Sequence, residues 1–232
     1  MPSSCIIFDT GPIISLTTNN LLWLLEPMKK KFGGEFYITP SVKKELVDVP
    51  LETKKFKFEA LQVLDMIERG VLKIVDQKAV KDEGYKLMQI ANQCFQARGK
   101  WLQLLQTAEM EVIAAALLYG AEAVMVDERT MRMIVEDPQD LKNVLESRLH
   151  MHIEINKNAL SEIRKRTREI RLLRSTELVM AAYELGLLDQ FVGDIPHARK
   201  QLLQSVLWGL KIRGCSVTVD EIDEAVEYEL KR

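Results

Sequence analysis

The sequence predicts an α/β protein built on a largely parallel sheet. Two observations carry that prediction. Short apolar runs of strand length recur at residues 5–8, 36–38, 71–75 and 123–127, and residues 150–155 add a last candidate. Between them lie longer stretches with helical spacing, so strand and helix alternate as a parallel sheet requires.

Each element has a local reason. "CIIF" is a short buried strand that stops at Asp9 and Thr10. "PIISLTTNNLLWLLEPMKK" gives helical turns interrupted by the polar Thr17–Asn20. Pro40 suits the first turn of a helix, with Thr39 as its cap. Residues 55–69 keep helical spacing until Gly70. Residues 80–105 read as helix with a corner at Arg98-Gly99-Lys100. "TAEMEVIAAALLYG" is a helix from Thr107 to its terminating Gly120. "AVMVD" is a strand with an acid at its end, and "ERTMRMIV" resumes a helix. No strand pattern follows residue 157. Three helical stretches remain, punctuated by Gly193, Pro196 and Gly214. The expected organisation is an α/β domain over 1–156 and a helical subdomain over 157–232.

Bulk properties narrow the class. With 232 residues, 47% of them apolar, the chain can bury a core and is not disordered in bulk. A balance of 32 basic against 34 acidic side chains carries no overall nucleic-acid signature. Cys5, Cys94 and Cys215 are too scattered for a zinc pattern or a disulfide framework, which fits a reducing compartment. Residues 1–20 lack a basic n-region, and no window reaches about 18 uncharged apolar residues. The expectation is a soluble, cytoplasmic protein with no membrane span.

The informative residues are acids. Asp9 and Asp127 both end strands, on the side where parallel sheets bind ligands. Glu45 lies one turn into the helix after the second strand. Glu109 and Glu111 open the helix before the fourth. Singly, each has an ordinary explanation: a helix cap worth about 1 kcal/mol, or a favourable place at a helix N-terminus. Together they need a shared cause, because converging carboxylates repel. A hard divalent cation such as Mg²⁺ or Mn²⁺ is such a cause. It would polarise a phosphodiester oxygen and lower the pKa of a water. His150, His152 and His197 take no part in this set; the first two are spaced as neighbours on one side of a strand.

"IIFDTGPIISL", "ITPSVKKEL" and "AEMEVIAAALLYGAEAVMVDERTMR" resemble the successive motifs of the PIN-domain ribonucleases, over roughly residues 4–155. The resemblance implies a three-layer α/β/α fold with a central, mainly parallel sheet, here followed by C-terminal helices. It implies a divalent-metal cluster of Asp9, Glu45, Asp127 and one of Glu109 or Glu111. Counting back from Asp127 favours Glu109. Thr10 matches the hydroxyl residue that supports the first acid, and Thr107, Glu128 and Arg129 would border the site. The implied activity is RNA hydrolysis. The alternative is a non-catalytic PIN-fold module that binds RNA or protein. A homodimer is compatible with the family. An antitoxin partner is less favoured, because residues 50–105 and the tail exceed a minimal toxin-like chain. Gly11 stands where a haloacid-type phosphatase would need a second Asp, and no P-loop is present.

"RKRTREIRLLR" supplies a basic patch. On one helix, Arg164, Arg168 and Arg171, with Lys165 beside them, would meet successive phosphates. The competing reading is a solvated face paired with Glu162 and Glu169.

Overall fold

Five short strands form one parallel sheet in the order β3-β2-β1-β6-β8. The structure is a computed structural model and describes residues 4–231. The strands are β1 Cys5–Phe8, β2 Glu35–Ile38, β3 Leu72–Ile74, β6 Ala123–Met125 and β8 Arg171–Leu173. A second, antiparallel sheet, β5-β4-β7, comprises β4 Phe95–Ala97, β5 Lys100–Trp101 and β7 Ile153–Ile155. The central strands are apolar on both faces: Ile7, Phe8, Phe36, Ile38 and Val124 are all buried. A parallel sheet covered by helices on both sides requires this.

Helices fill the two outer layers. In chain order they are α1 Thr10–Thr18, α2 Leu25–Phe32, α3 Pro40–Lys43, α4 Val49–Glu52, α5 Lys57–Glu68, α6 Gln77–Ala91 and α7 Thr107–Tyr119. Then come α8 Arg129–Glu136, α9 Pro138–Leu149, α10 Lys157–Thr167, α11 Ser175–Glu184, α12 Ala198–Ile212 and α13 Val219–Lys231. A π-helical turn, Lys44–Asp48, joins α3 to α4. Helix α7 packs on β1 and β6 and against α6. Its buried Ala114-Ala115-Ala116 allows close approach. Gly84 of α6 lies so near α7 that a Cβ there would sit 2.9 Å from Glu111 Cα. Thr39 caps α3 by accepting from Val42 N–H, with Pro40 in the first turn as expected.

The register sets the site. Phe8 of β1 lies opposite Met125 of β6, and Asp9 N–H donates to Met125 O at 2.9 Å. The chain builds outward from β1 through β2 to β3, then crosses to β6 on the other side. β1 and β6 therefore flank the switch point, where open α/β sheets form their ligand crevice.

Three expectations are corrected. The tail is not wholly helical, because β8 extends the main sheet beside β6. Val126 N–H donates to Leu173 O at 2.7 Å. Arg171 therefore lies in β8, not on a helix with Arg164 and Arg168; α10 ends at Thr167 and Arg168 caps it. Arg171 pairs in register with Ala123, at the end of the sheet opposite the strand termini that carry Asp9 and Asp127. Residues 80–105 are only partly helical. Arg98 and Gly99 both have positive φ and make a two-residue hairpin turn between β4 and β5. The Asn92 side chain fastens the segment that leads from β5 to α7, accepting from Leu104 and Leu105 N–H and donating to Leu105 O. Finally, 150–155 yields β7, but in the antiparallel sheet against β4. His150 precedes that strand in a left-handed conformation and His152 pairs with Glu146, so the two are not strand neighbours.

All three cysteines are free and buried. No helix among the described residues is long and apolar enough to cross a membrane.

Removing residues 157–232 would strip β8 from the edge of β6 and take Ser175 away from Asp127. The expected result for chain 1–156 is loss of a cooperative thermal transition by circular dichroism. A sharp transition near that of the whole chain would establish 1–156 as a self-sufficient unit.

Candidate metal centre

Asp9 follows β1 directly and is only 7% exposed. It occupies the N-cap position of α1 but makes no capping hydrogen bond of normal geometry. Burial pushes its carboxyl up to about 7; the Thr10 and Gly11 amides pull the other way, while Glu109 and Glu45 add to the rise. The simple cap reading thus lacks its defining side-chain hydrogen bond.

Glu45 sits in the π-helical turn, a deformation that recurs at functional sites. Thr10 Oγ1 donates to Glu45 Oε2 at 2.7 Å. The expected support of the first acid by Thr10 is instead support of the second, which ties the start of α1 to the π turn.

Glu109 is half-buried in the first turn of α7. One oxygen, Oε2, accepts from Gln106 N–H at 2.7 Å. Burial raises its pKa, the Gln106 amide opposes this, and Glu128 and Glu45 raise it further. Glu128 caps α8 through Met131 N–H. Asp9, Glu45, Glu109 and Glu128 are therefore linked by mutual repulsion, and none is in an ion pair among the described residues. Sequence reasoning placed Glu128 only at the border; its short distance in sequence from Asp127 was the available signal.

Glu111 points elsewhere. It is 4% exposed and accepts from Ser41 Oγ at 2.5 Å, beneath Gly84. Two residues along a helix turn the side chain by about 200°, so Glu109 and Glu111 leave α7 on different sides.

Asp127 is 2% exposed and fully engaged. Its Oδ2 accepts from Ser15 Oγ at 2.7 Å and from Ser175 Oγ at 2.8 Å; its Oδ1 accepts from Ser175 N–H at 2.8 Å. Gly11 passes close over it: a Cβ there would lie 3.3 Å from Asp127 Cβ. The structure thus brings Asp127 to the switch point as a hydrogen-bond hub joining α1, β6 and α11.

A family model described as a PIN domain matches residues 5–139. The chain belongs to the PIN-domain family. The match covers more than half the chain and spans β1 through the start of α9. The family carries a nuclease-type fold and generally uses divalent metals. No curated protein and no solved structure matches the chain significantly.

The donor set suits a hard cation. Asp9, Glu45 and Glu109 lie within electrostatic reach of one another, Asp9 deeply buried, and carboxylate oxygens are the ligands a hard cation takes. As they stand, no three His, Cys, Asp or Glu side chains among the described residues lie close enough together to hold a metal ion. Repulsion between uncompensated carboxylates favours such spreading.

The remaining expected residues lie apart. Thr107 Oγ1 contacts Met88 Sδ at 3.1 Å. Arg129 turns to Asp140 and Met133 and lines a crevice with Arg132, Arg174 and Lys211. Arg164 and Lys165 are exposed on α10, whereas Arg166 pairs with Glu162 and Glu83. Arg174 is a structural residue, bonded to Glu177, Glu221 and Ser216 O.

Two outcomes separate these roles. Asp127→Ala leaves the Ser15 and Ser175 donors buried without an acceptor and should cost about 3 kcal/mol in denaturant unfolding. Glu109→Ala, which relieves repulsion, should change stability by less than about 1 kcal/mol. Equal losses in both would contradict the assignment.

The pH dependence follows from Asp9. An acid with a folded pKa of about 7 binds its proton more tightly folded than unfolded, where the value is about 3.9. Its contribution to stability is greatest at low pH. It is lost as pH rises from about 4 to about 7, by roughly 1.4 kcal/mol per unit. Urea unfolding in a chelator should show this decline in the wild type relative to Asp9→Asn. Parallel pH curves for the two would refute it.

Proposed function

We propose that this chain is a divalent-metal-dependent ribonuclease. One observation supports the reading above the rest: Asp9 feels the charges of Glu109 and Glu45, Glu109 feels that of Glu45, and none of the three is in an ion pair among the described residues. Such a site loses stability by its own repulsion, and a cation that bridged the three acids would relieve it. Bound Mg²⁺ or Mn²⁺ would polarise a phosphodiester oxygen and supply a water acidic enough to yield hydroxide near neutral pH.

The protein's own groups divide the remaining work. Asp9, whose carboxyl burial pushes up to about 7, would hold a cation as the carboxylate and so more weakly as pH falls. Thr10 holds the Glu45 carboxylate by one oxygen and leaves the other free. The Gln106 amide does the same for Glu109. Glu128 lies at the edge of the cluster. Asp127 acts as a positioning residue that keeps α1, and hence Asp9, against β6. RNA is the partner this reading requires; neither a second copy of the chain nor an antitoxin is needed for it.

One observation favours the alternative, a non-catalytic PIN-fold RNA-binding module. Asp127, the expected fourth ligand, already has both oxygens in hydrogen bonds.

The test is incubation of the purified chain with mixed RNA and Mn²⁺ or Mg²⁺. Cleavage should stop with EDTA and fall on the order of 100-fold or more in Asp9→Asn and Glu109→Gln. Glu111→Gln, if folded, should stay near wild type. RNA binding without cleavage would favour the binding module. Cleavage indifferent to EDTA and to Asp9→Asn would end the proposal.

A further inference from the structure

The turn between α4 and α5 and the first two residues of α5 read Thr53-Lys54-Lys55-Phe56-Lys57-Phe58, alternating base and aromatic from Lys55. Every one of these residues is exposed. Thr53 Oγ1 donates to Pro50 O and Lys55 O and shapes the bend. Phe56 has φ +59°, in the left-handed region. Of the five non-glycine residues with positive φ among those described, the other four are Asn20, Arg98, His150 and His197, all polar. A bulky apolar side chain there is a true outlier, and strain of this kind concentrates at functional sites. Burial does not compensate for it: Phe56 is 59% exposed and Phe58 69%. Lys54, Lys55 and Lys57 form no ion pair among the described residues.

The position of this turn gives it meaning. Phe56 and Glu45 stand on the walls of one hollow of about 100 Å³, together with Ile14, Leu46 and Val63. Phe58 borders the adjoining hollow of about 380 Å³, which Trp23 and Leu61 also line. The two hollows share Thr17. Phe56 and Phe58 thus mark two adjoining hollows, one of them reaching Glu45, and Lys55 and Lys57 alternate with the two rings along the chain. Glu59 and Asp65 also border the hollows, which suits the hollows to bases and leaves phosphates to the lysine side.

We propose that residues 53–58 form a strand-holding subsite, in which Phe56 and Phe58 stack unpaired bases and Lys54, Lys55 and Lys57 meet the phosphates of the same strand. The subsite rests on the ribonuclease reading of the acidic cleft, since it holds the strand that the cleft would cut. Stacking on aromatic side chains is tolerant of sequence and requires bases that are not paired. The subsite therefore selects single strands over duplexes by access to base faces. Its lysines supply affinity that salt weakens.

The experiment is fluorescence anisotropy of the whole chain with a labelled oligoadenylate, in EDTA so that nothing is cut. The double variant Phe56→Ala/Phe58→Ala should bind at least ~10-fold more weakly. Phe56→Tyr/Phe58→Tyr, which keeps the rings, should stay within about threefold of wild type. Replacing Lys54, Lys55 and Lys57 with Gln should reduce the slope of log affinity against log salt by about 2. A duplex of the same length should bind more weakly than the single strand and be indifferent to the Phe changes.

Unchanged affinity in a folded double Phe variant would overturn the subsite, even if the protein cleaves RNA. So would loss of self-association without loss of RNA affinity, which would make this face a contact between copies. Phe-dependent binding without metal-dependent cleavage would uphold the subsite and fail the nuclease reading alone. No binding by the wild type would end both.

Discussion

The arrangement of the site depends on the carboxylate of Asp127 and the three hydrogen bonds it accepts. Ser15 comes from α1, and both Ser175 donors come from the first residue of α11. A buried charge survives only when its lone pairs are met, and here they are met from two elements far apart in sequence. The contact pins α1 across the end of β6, and Gly11 allows that approach. Asp9, at the entrance to α1, is thereby held beside the switch point. The parallel register of β1 and β6 does the rest, because Asp9 N–H bonds to Met125 O.

The second feature is an imbalance of charge. Several acids elsewhere find partners: Glu177 and Glu221 with Arg174, Glu162 and Glu83 with Arg166, Glu35 with Lys29 and Lys73. At the crevice they do not. Burial of Asp9 near Glu109 and Glu45 raises its pKa instead of being offset by a base. The fold leaves these acids in mutual repulsion, a stability cost typical of binding sites. The π turn at Glu45 and the left-handed Phe56 are two further departures from ideal geometry, and both lie on the same side of the molecule, around one hollow.

Much of this was legible in the chain. β1, β2, β3 and β6 announce themselves as apolar runs because a covered parallel sheet buries both faces of its strands. Thr39-Pro40 and Gly120 mark helix ends through capping chemistry that acts within a few residues. Asp9, Glu45 and Glu109 could be named because strand termini and helix first turns fix where a side chain emerges. β8 could not be seen in the same way. Three residues in an edge strand carry no periodicity, and the flanking arginines read as helix. The hairpin of β4 and β5 was hidden likewise, since its strands depend on the Asn92 side chain and on pairing with the distant β7.

By itself, the sequence determined the class of fold and the main strands and singled out the acids as candidates, since each reading follows from patterns local to a strand or a helix turn. Tertiary structure alone decided how those acids divide. It turned Glu111 toward Ser41, brought Glu128 to Glu109, and enclosed Asp127 between Ser15 and Ser175. It also split the basic run, leaving Arg164 on a helix, Arg171 in a strand and Arg174 in an ion-pair network. The reason is the same in each case: a carboxylate or guanidinium takes its role from the donors, acceptors and charges that fold against it, and those come from residues tens of positions away.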